Sequence, residues 1–127
     1  MDETLPHVLV VDDDEDFLAL LALHLAARCR LTVVRNGEEA LRAVAQSRPD
    51  LILLDVMMPR LSGWEVCREL KSNALYEDIP VIYVTAVGAK ISGSLSHLTL
   101  ADDILMKPFD LRELDRKMAR FLTKKQV

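Results

Sequence analysis

The sequence predicts an α/β fold built on a parallel sheet with helices on both faces. Three observations carry that expectation. Short, continuously apolar and mostly β-branched runs recur along the 127 residues. Each is followed by a longer stretch whose apolar residues repeat at helical spacing, and turn or capping residues separate the two kinds of segment. Five such runs alternating with five helical segments give parallel strands joined by right-handed crossovers.

Val8–Val11 is apolar throughout, as expected of a strand buried on both faces, and so are Leu51–Leu54 and, after Pro80, Val81–Val84. Leu31–Val34 and Ile104–Met106 are shorter or more mixed, which predicts peripheral strands. The first helix follows Asp14 as N-cap, with acids in its first turn and Phe17, Leu20, Leu21 and Leu25 as its stripe. The second, Glu38–Gln46, follows Asn36-Gly37 and carries Leu41 and Val44. The third, Trp64–Leu70, follows Gly63 and repeats as Val66, Cys67 and Leu70. The last, Leu111–Leu122, follows Pro108 and an Asp110 cap, with Leu111, Leu114, Met118 and Phe121 in line. The fourth, Gly88–Leu100, is atypical. Ile91, Leu95 and Leu98 form a face, but Gly93 and three serines oppose a helix, Gly alone by about 1 kcal/mol relative to Ala.

Composition narrows the function classes. A chain this long makes one domain, residues 1–127, with a folded core near 6–123 and short polar tails. Half the residues are hydrophobic and 28% are charged, which excludes a disordered chain. A net charge of −4 argues against nucleic-acid binding, which needs clustered Lys and Arg. Cys29 and Cys67 are too far apart for a metal knuckle and read as reduced, buried thiols. The start, MDETLPH, has neither the basic nor the apolar region of a signal peptide, and His24 interrupts the most apolar segment well short of a membrane span. A cytoplasmic protein with no membrane contact is expected.

Chemistry gathers at the strand ends. The first run ends in Asp12-Asp13-Asp14, the third in Asp55, the fourth in Thr85-Ala86 and the fifth in Lys107-Pro108. In a parallel sheet these positions share one edge, where such folds place their sites. Two carboxylates ~4 Å apart repel by about 4 kcal/mol at an effective dielectric of 20. Lys107 cannot offset three of them. A hard divalent cation with oxygen ligands can, and Mg²⁺ suits one or two carboxylates plus waters and a phosphoryl group. A carboxylate, a metal, a lysine and a hydroxyl are the parts needed to transfer a phosphoryl group to aspartate, and Asp55, alone at the end of a central strand, is the best nucleophile.

The runs VLVVDDD, LILLDVMMPRLSGWEV, PVIYVTA and ADDILMKPF, in this order and spacing, resemble the receiver domain of two-component response regulators along essentially the whole chain. The resemblance implies a flavodoxin-like, doubly wound five-stranded sheet of order 2-1-3-4-5. It implies a phosphoacceptor rather than an enzyme, with Asp55 taking the phosphoryl group from a sensor histidine kinase or phosphotransfer protein. Asp12, Asp13, Asp55 and the Met57 carbonyl would hold Mg²⁺ (or Mn²⁺). Thr85 and Lys107 would contact the phosphoryl group, and Lys107–Pro108 would be a peptide that is often cis. Output would reach a downstream protein or a covalently linked output domain through the face formed by the fourth helical segment, the fifth strand and the last helix. A phosphorylation-independent pseudo-receiver is the competing reading. An aspartate-nucleophile phosphatase would want an acid where Met57 stands.

Departures from the family pattern sharpen the expectations. Ile104 occupies a position that is commonly aromatic, Leu100 replaces a common Gly, and Ser62 a common Asp. Output is therefore expected from Thr85 moving toward the phosphoryl group and reordering Gly88–Leu100. Met57 and Val87, which flank the family's hydrolytic-water path, are apolar and predict a long-lived phosphoryl group. His24 is expected to be a satisfied core histidine, Trp64 a partly exposed helix-start residue, and Arg112, Arg116, Lys117 and Arg120 a solvated face.

Overall fold

The structure is a computed structural model that describes residues 5–86 and 100–122. In chain order the elements are β1 (His7–Val11), α1 (Glu15–Leu25), β2 (Arg30–Val34), α2 (Gly37–Gln46), β3 (Leu51–Asp55), α3 (Gly63–Lys71), β4 (Val81–Ala86), β5 (Asp103–Lys107) and α4 (Leu111–Leu122). All strand pairs are parallel, in the order β2-β1-β3-β4-β5. The doubly wound sheet of the sequence reading is thus present. The expected helix within Gly88–Leu100 lies, except for Leu100, outside the described residues.

Alternation along the strands divides the core in two. Val8, Val10, Leu51, Leu53, Ile82, Val84 and Leu105 face α1 and α4, while Leu9, Val11, Ile52, Leu54, Val81 and Tyr83 face α2 and α3. Every residue of β1 and β3 is buried, which is why Val8–Val11 and Leu51–Leu54 are apolar without a break. β2 and β5 are the edges and are only partly buried, as their weaker patterns foretold.

Helix starts follow the expected capping chemistry. The Asp14 carboxylate accepts the backbone N–H groups of Asp16 and Phe17, and Asn36 accepts that of Glu39. Ser62 and Glu65 cap each other's backbone reciprocally at α3, and Asp110 accepts the Arg112 N–H at 2.7 Å.

Three helix faces differ from the expectation. In α1 the buried leucines are Leu18, Leu21 and Leu25, whereas Leu20 is exposed and Phe17 half-buried. The helix is apolar nearly all round, so spacing alone could not fix its rotational phase. In α4, Leu114, Met118 and Leu122 are buried and Phe121 only half-buried. The basic face is not uniformly solvated either: Lys117 and Arg120 both bind Asp103 of β5, and the Lys117 side chain is largely covered. His24 is satisfied, but by a polar partner, the Asp115 carboxylate of α4 at 2.9 Å. Trp64 is half-buried at the start of α3, edge-on to Tyr83. Cys29 and Cys67 are free and buried.

Gly63 fixes how closely α3 approaches β3. A Cβ there would lie 2.4 Å from the Asp55 carbonyl oxygen and 2.6 Å from Val56 Cα, both backbone atoms that cannot swing away. Gly63→Ala is therefore expected to cost roughly 1–3 kcal/mol, the usual penalty of overpacking, and not to gain the helix propensity of alanine. A urea midpoint equal to or above that of the wild type would show that the loop before α3 yields.

Candidate functional site at the carboxyl edge of the sheet

Parallel register brings the chemistry-bearing residues together. Asp12 follows β1 directly, Asp55 closes β3, Thr85 is the penultimate residue of β4, and Lys107 closes β5. Val11 is paired with Leu54, Asp55 with Val84, and Thr85 with Met106, so all four strand ends reach the same level. One carboxylate oxygen from each of Asp12, Asp13 and Asp55 lies within 4.8 Å of the other two. Asp12 and Asp55 are buried, and Asp13 is exposed at the rim.

The two buried acids are held by short hydrogen bonds. Asp12 Oδ1 accepts the Asp14 N–H at 2.9 Å, and its Oδ2 accepts a hydrogen bond from Lys107 Nζ at 2.8 Å. Asp55 Oδ1 accepts the Met57 N–H at 2.9 Å, which fixes the carboxylate against the chain that leaves β3. Lys107 is also seated over the Phe17 ring, with Nζ 4.0 Å from its centroid, and Phe109 meets that ring edge-on. The Lys107–Pro108 peptide is cis.

Burial pushes the Asp55 carboxyl up to about 6. The Met57 N–H opposes this, the Asp12 and Asp13 carboxylates add to it, and the Lys107 ammonium partly offsets them. Thr85 is fully buried, and its Oγ1 makes no hydrogen bond among the described residues. A buried hydroxyl left unmatched costs free energy.

This donor set fits a hard divalent cation. It offers oxygens alone, carries more negative charge than Lys107 balances, and has one acid open to solvent. Asp12, Asp13, Asp55 and Lys107 are brought to one cleft, and Thr85 stands at the same level of the sheet. The Met57 side chain is half-exposed beside it, whereas Val87 lies outside the described residues. The sequence reading missed Phe17 as a neighbour of Lys107. It carried no signal for this, since at helical spacing the ring reads as core.

A model of the response regulator receiver domain matches residues 8–119. The chain is 41% identical over 119 residues to the response regulator MprA of Mycolicibacterium vanbaalenii, covering 91% of this chain and 49% of that protein. It is 36% identical over 121 residues to the alkaline phosphatase synthesis transcriptional regulatory protein PhoP of Bacillus subtilis, covering 94% and 50%. The chain thus spans about half the length of these curated relatives. Among solved structures, the receiver domain of the sensor histidine kinase PA1611 of Pseudomonas aeruginosa superposes with a TM-score of 0.83 at 29% identity, covering 94% of this chain and 98% of that one. That structure holds a magnesium ion coordinated in its active site cleft.

The raised Asp55 value gives a signed pH dependence. Because it lies above the ordinary 3.8, folding favours the protonated acid, and this contribution is lost as pH rises from about 4 through 6. In metal-free buffer, Asp55→Asn is expected to match the wild type near pH 4 and to exceed it by up to about 3 kcal/mol at pH 7. Mg²⁺ should narrow that gap by stabilising the wild type more than a variant that lacks one of the three carboxylates. Urea unfolding with EDTA at both pH values measures it, and a gap that does not change with pH would contradict the buried-acid account.

Proposed function

Because the chain belongs to the response regulator receiver domain family, we propose that it is a phosphorylation-dependent signalling switch that accepts a phosphoryl group on Asp55. The observation that carries this reading is the convergence of the Asp12 and Asp13 carboxylates on Asp55, a buried strand-end aspartate, with Lys107 bound to Asp12 and a buried Thr85 hydroxyl that has no partner among the described residues. A pure scaffold gains nothing from such a repulsive cleft.

The chemistry follows from the parts. An Asp55 carboxylate oxygen attacks the phosphorus in line, forming an O–P bond. The P–N bond of a kinase phosphohistidine breaks, and its electron pair leaves with the imidazole nitrogen, which takes up a proton. With acetyl phosphate, a P–O bond breaks instead and acetate departs. The Met57 N–H aims Asp55 by holding its other oxygen. Lys107, already oriented by Asp12, meets the charge on the phosphoryl oxygens, and the Thr85 hydroxyl donates to one of them. Asp12, Asp13, Asp55 and the Met57 carbonyl would hold Mg²⁺, which supplies further charge neutralisation when bound.

Residues 1–127 form one receiver domain in this reading. It acts in the cytoplasm with a sensor histidine kinase or phosphotransfer protein upstream, and with a downstream protein or linked output domain. Among the described residues no helix is long and apolar enough to cross a membrane. Ile104, at the commonly aromatic position, is half-buried beside Tyr83 in the core shared with α2 and α3, so the signal leaves without an aromatic rotamer change there. Thr85 instead draws on the chain that follows β4, whose residues 87–99 lie outside the described ones.

Mass spectrometry after incubation with acetyl phosphate and Mg²⁺ tests the proposal. A gain of one phosphoryl group is expected in the wild type and none in Asp55→Asn. No gain in either would leave a phosphorylation-independent binding module. The phosphoryl group is expected to be long-lived, because Met57 offers a water no hydrogen bond. Met57→Asn should shorten its lifetime, and a wild-type lifetime of seconds that the substitution leaves unchanged would count against this role.

A further inference from the structure

We propose that Phe17 is a positioning residue for Lys107, its ring face holding the ammonium group at the cleft without consuming any of its hydrogen-bond donors. The inference rests on the reading of Lys107 as the cation that meets the phosphoryl group. A lysine is a compact charge on a flexible four-carbon stem, so it is placed only as well as its surroundings place it. Asp12 fixes one side at 2.8 Å. The Phe17 ring provides a second constraint at 4.0 Å, well inside the ~6 Å over which a ring face attracts a cation.

The ring is itself held in place. The Phe17 N–H donates to the Asp14 carboxylate that caps α1, and the side chain packs against the core shared by α1 and α4. Phe109 approaches it edge-on, with centroids 5.9 Å apart and planes at 88°. Phe109 is only two residues beyond Lys107, so the segment that carries the lysine is clasped to the same ring. The choice of an aromatic has a chemical consequence. A carboxylate at position 17 would compete with Asp12 and the phosphoryl group for the ammonium. A hydroxyl would take one of its three donors. An aliphatic side chain would fill the space without attracting charge. A ring face attracts the cation and leaves the donors that Asp12 does not use available to the cleft.

The test replaces Phe17 in the full chain with phenylalanine analogues carrying one to five ring fluorines, which nearly preserve volume while weakening the attraction of the face. Phe17→Tyr and Phe17→Leu complete the series. The rate of phosphorylation by acetyl phosphate at saturating Mg²⁺ is expected to fall stepwise with fluorination, by about three- to thirtyfold at the end of the series. Tyr should retain the wild-type rate, and Leu should resemble the most fluorinated analogue. The Lys107 ε-methylene protons, shielded by the ring in the wild type, should move downfield in Phe17→Leu. Mg²⁺ affinity should stay within about twofold, since no carboxylate is altered. A rate indifferent to fluorination, or a Leu variant as fast as the wild type, would reduce Phe17 to core packing and overturn the proposal. A wild type that takes up no phosphate would fail earlier, at the role of Asp55, and would take this inference with it. The two failures are distinguishable because only the second leaves wild type and Asp55→Asn alike.

Discussion

Mutual repulsion among carboxylates at one edge of the sheet is the constraint on which the rest of this molecule turns. Asp12, Asp13 and Asp55 are held within 4.8 Å of one another, and two of the three are buried. Such an arrangement is costly, and burial is the largest part of that cost at Asp55. The fold tolerates it because the two buried acids are anchored by backbone N–H groups and Lys107 binds the more buried one. That anchoring leaves the site short of positive charge yet rigid, which is what an anionic reaction assisted by a cation needs.

The surrounding structure acts as a frame for that edge. The register between parallel neighbours keeps the ends of β1, β3, β4 and β5 level, and the apolar central strands lock it by burial on both faces. The Asp14 cap starts α1 where its first turn presents Phe17 to Lys107. Gly63 lets α3 begin against the Asp55 carbonyl, so the loop leaving β3 is short of room to drift. Ion pairs farther away, such as Asp103 with Lys117 and Arg120, join β5 to α4 and so help to fix the strand that carries Lys107.

Much of this was legible in the residues. The β-branched runs marked the strands because strands buried on both sides leave no room for polar alternation. The caps marked helix starts because Asp, Asn and Ser satisfy backbone donors that nothing else reaches. Less legible were the helix faces. α1 has apolar residues on every side, so its pattern could not tell Leu18 from Leu20, and only packing against the sheet exposed the latter. The basic side of α4 read as solvated because sequence shows charge but not what lies opposite. Asp103, on another element, changes the answer for Lys117 and Arg120.

Among the described residues, the sequence by itself determined which segments are strands, which are helices, and that acids, a hydroxyl and a lysine stand at the strand ends. These follow from local chemistry and from period, which are properties of neighbours along the chain. Only the tertiary structure decided that Lys107 turns to Asp12 and lies over Phe17, that Thr85 Oγ1 is left without a partner among the described residues, and how deeply Asp55 is buried. The two contacts join residues 95 and 90 positions apart, and they and the exposures exist only once the sheet register has been set.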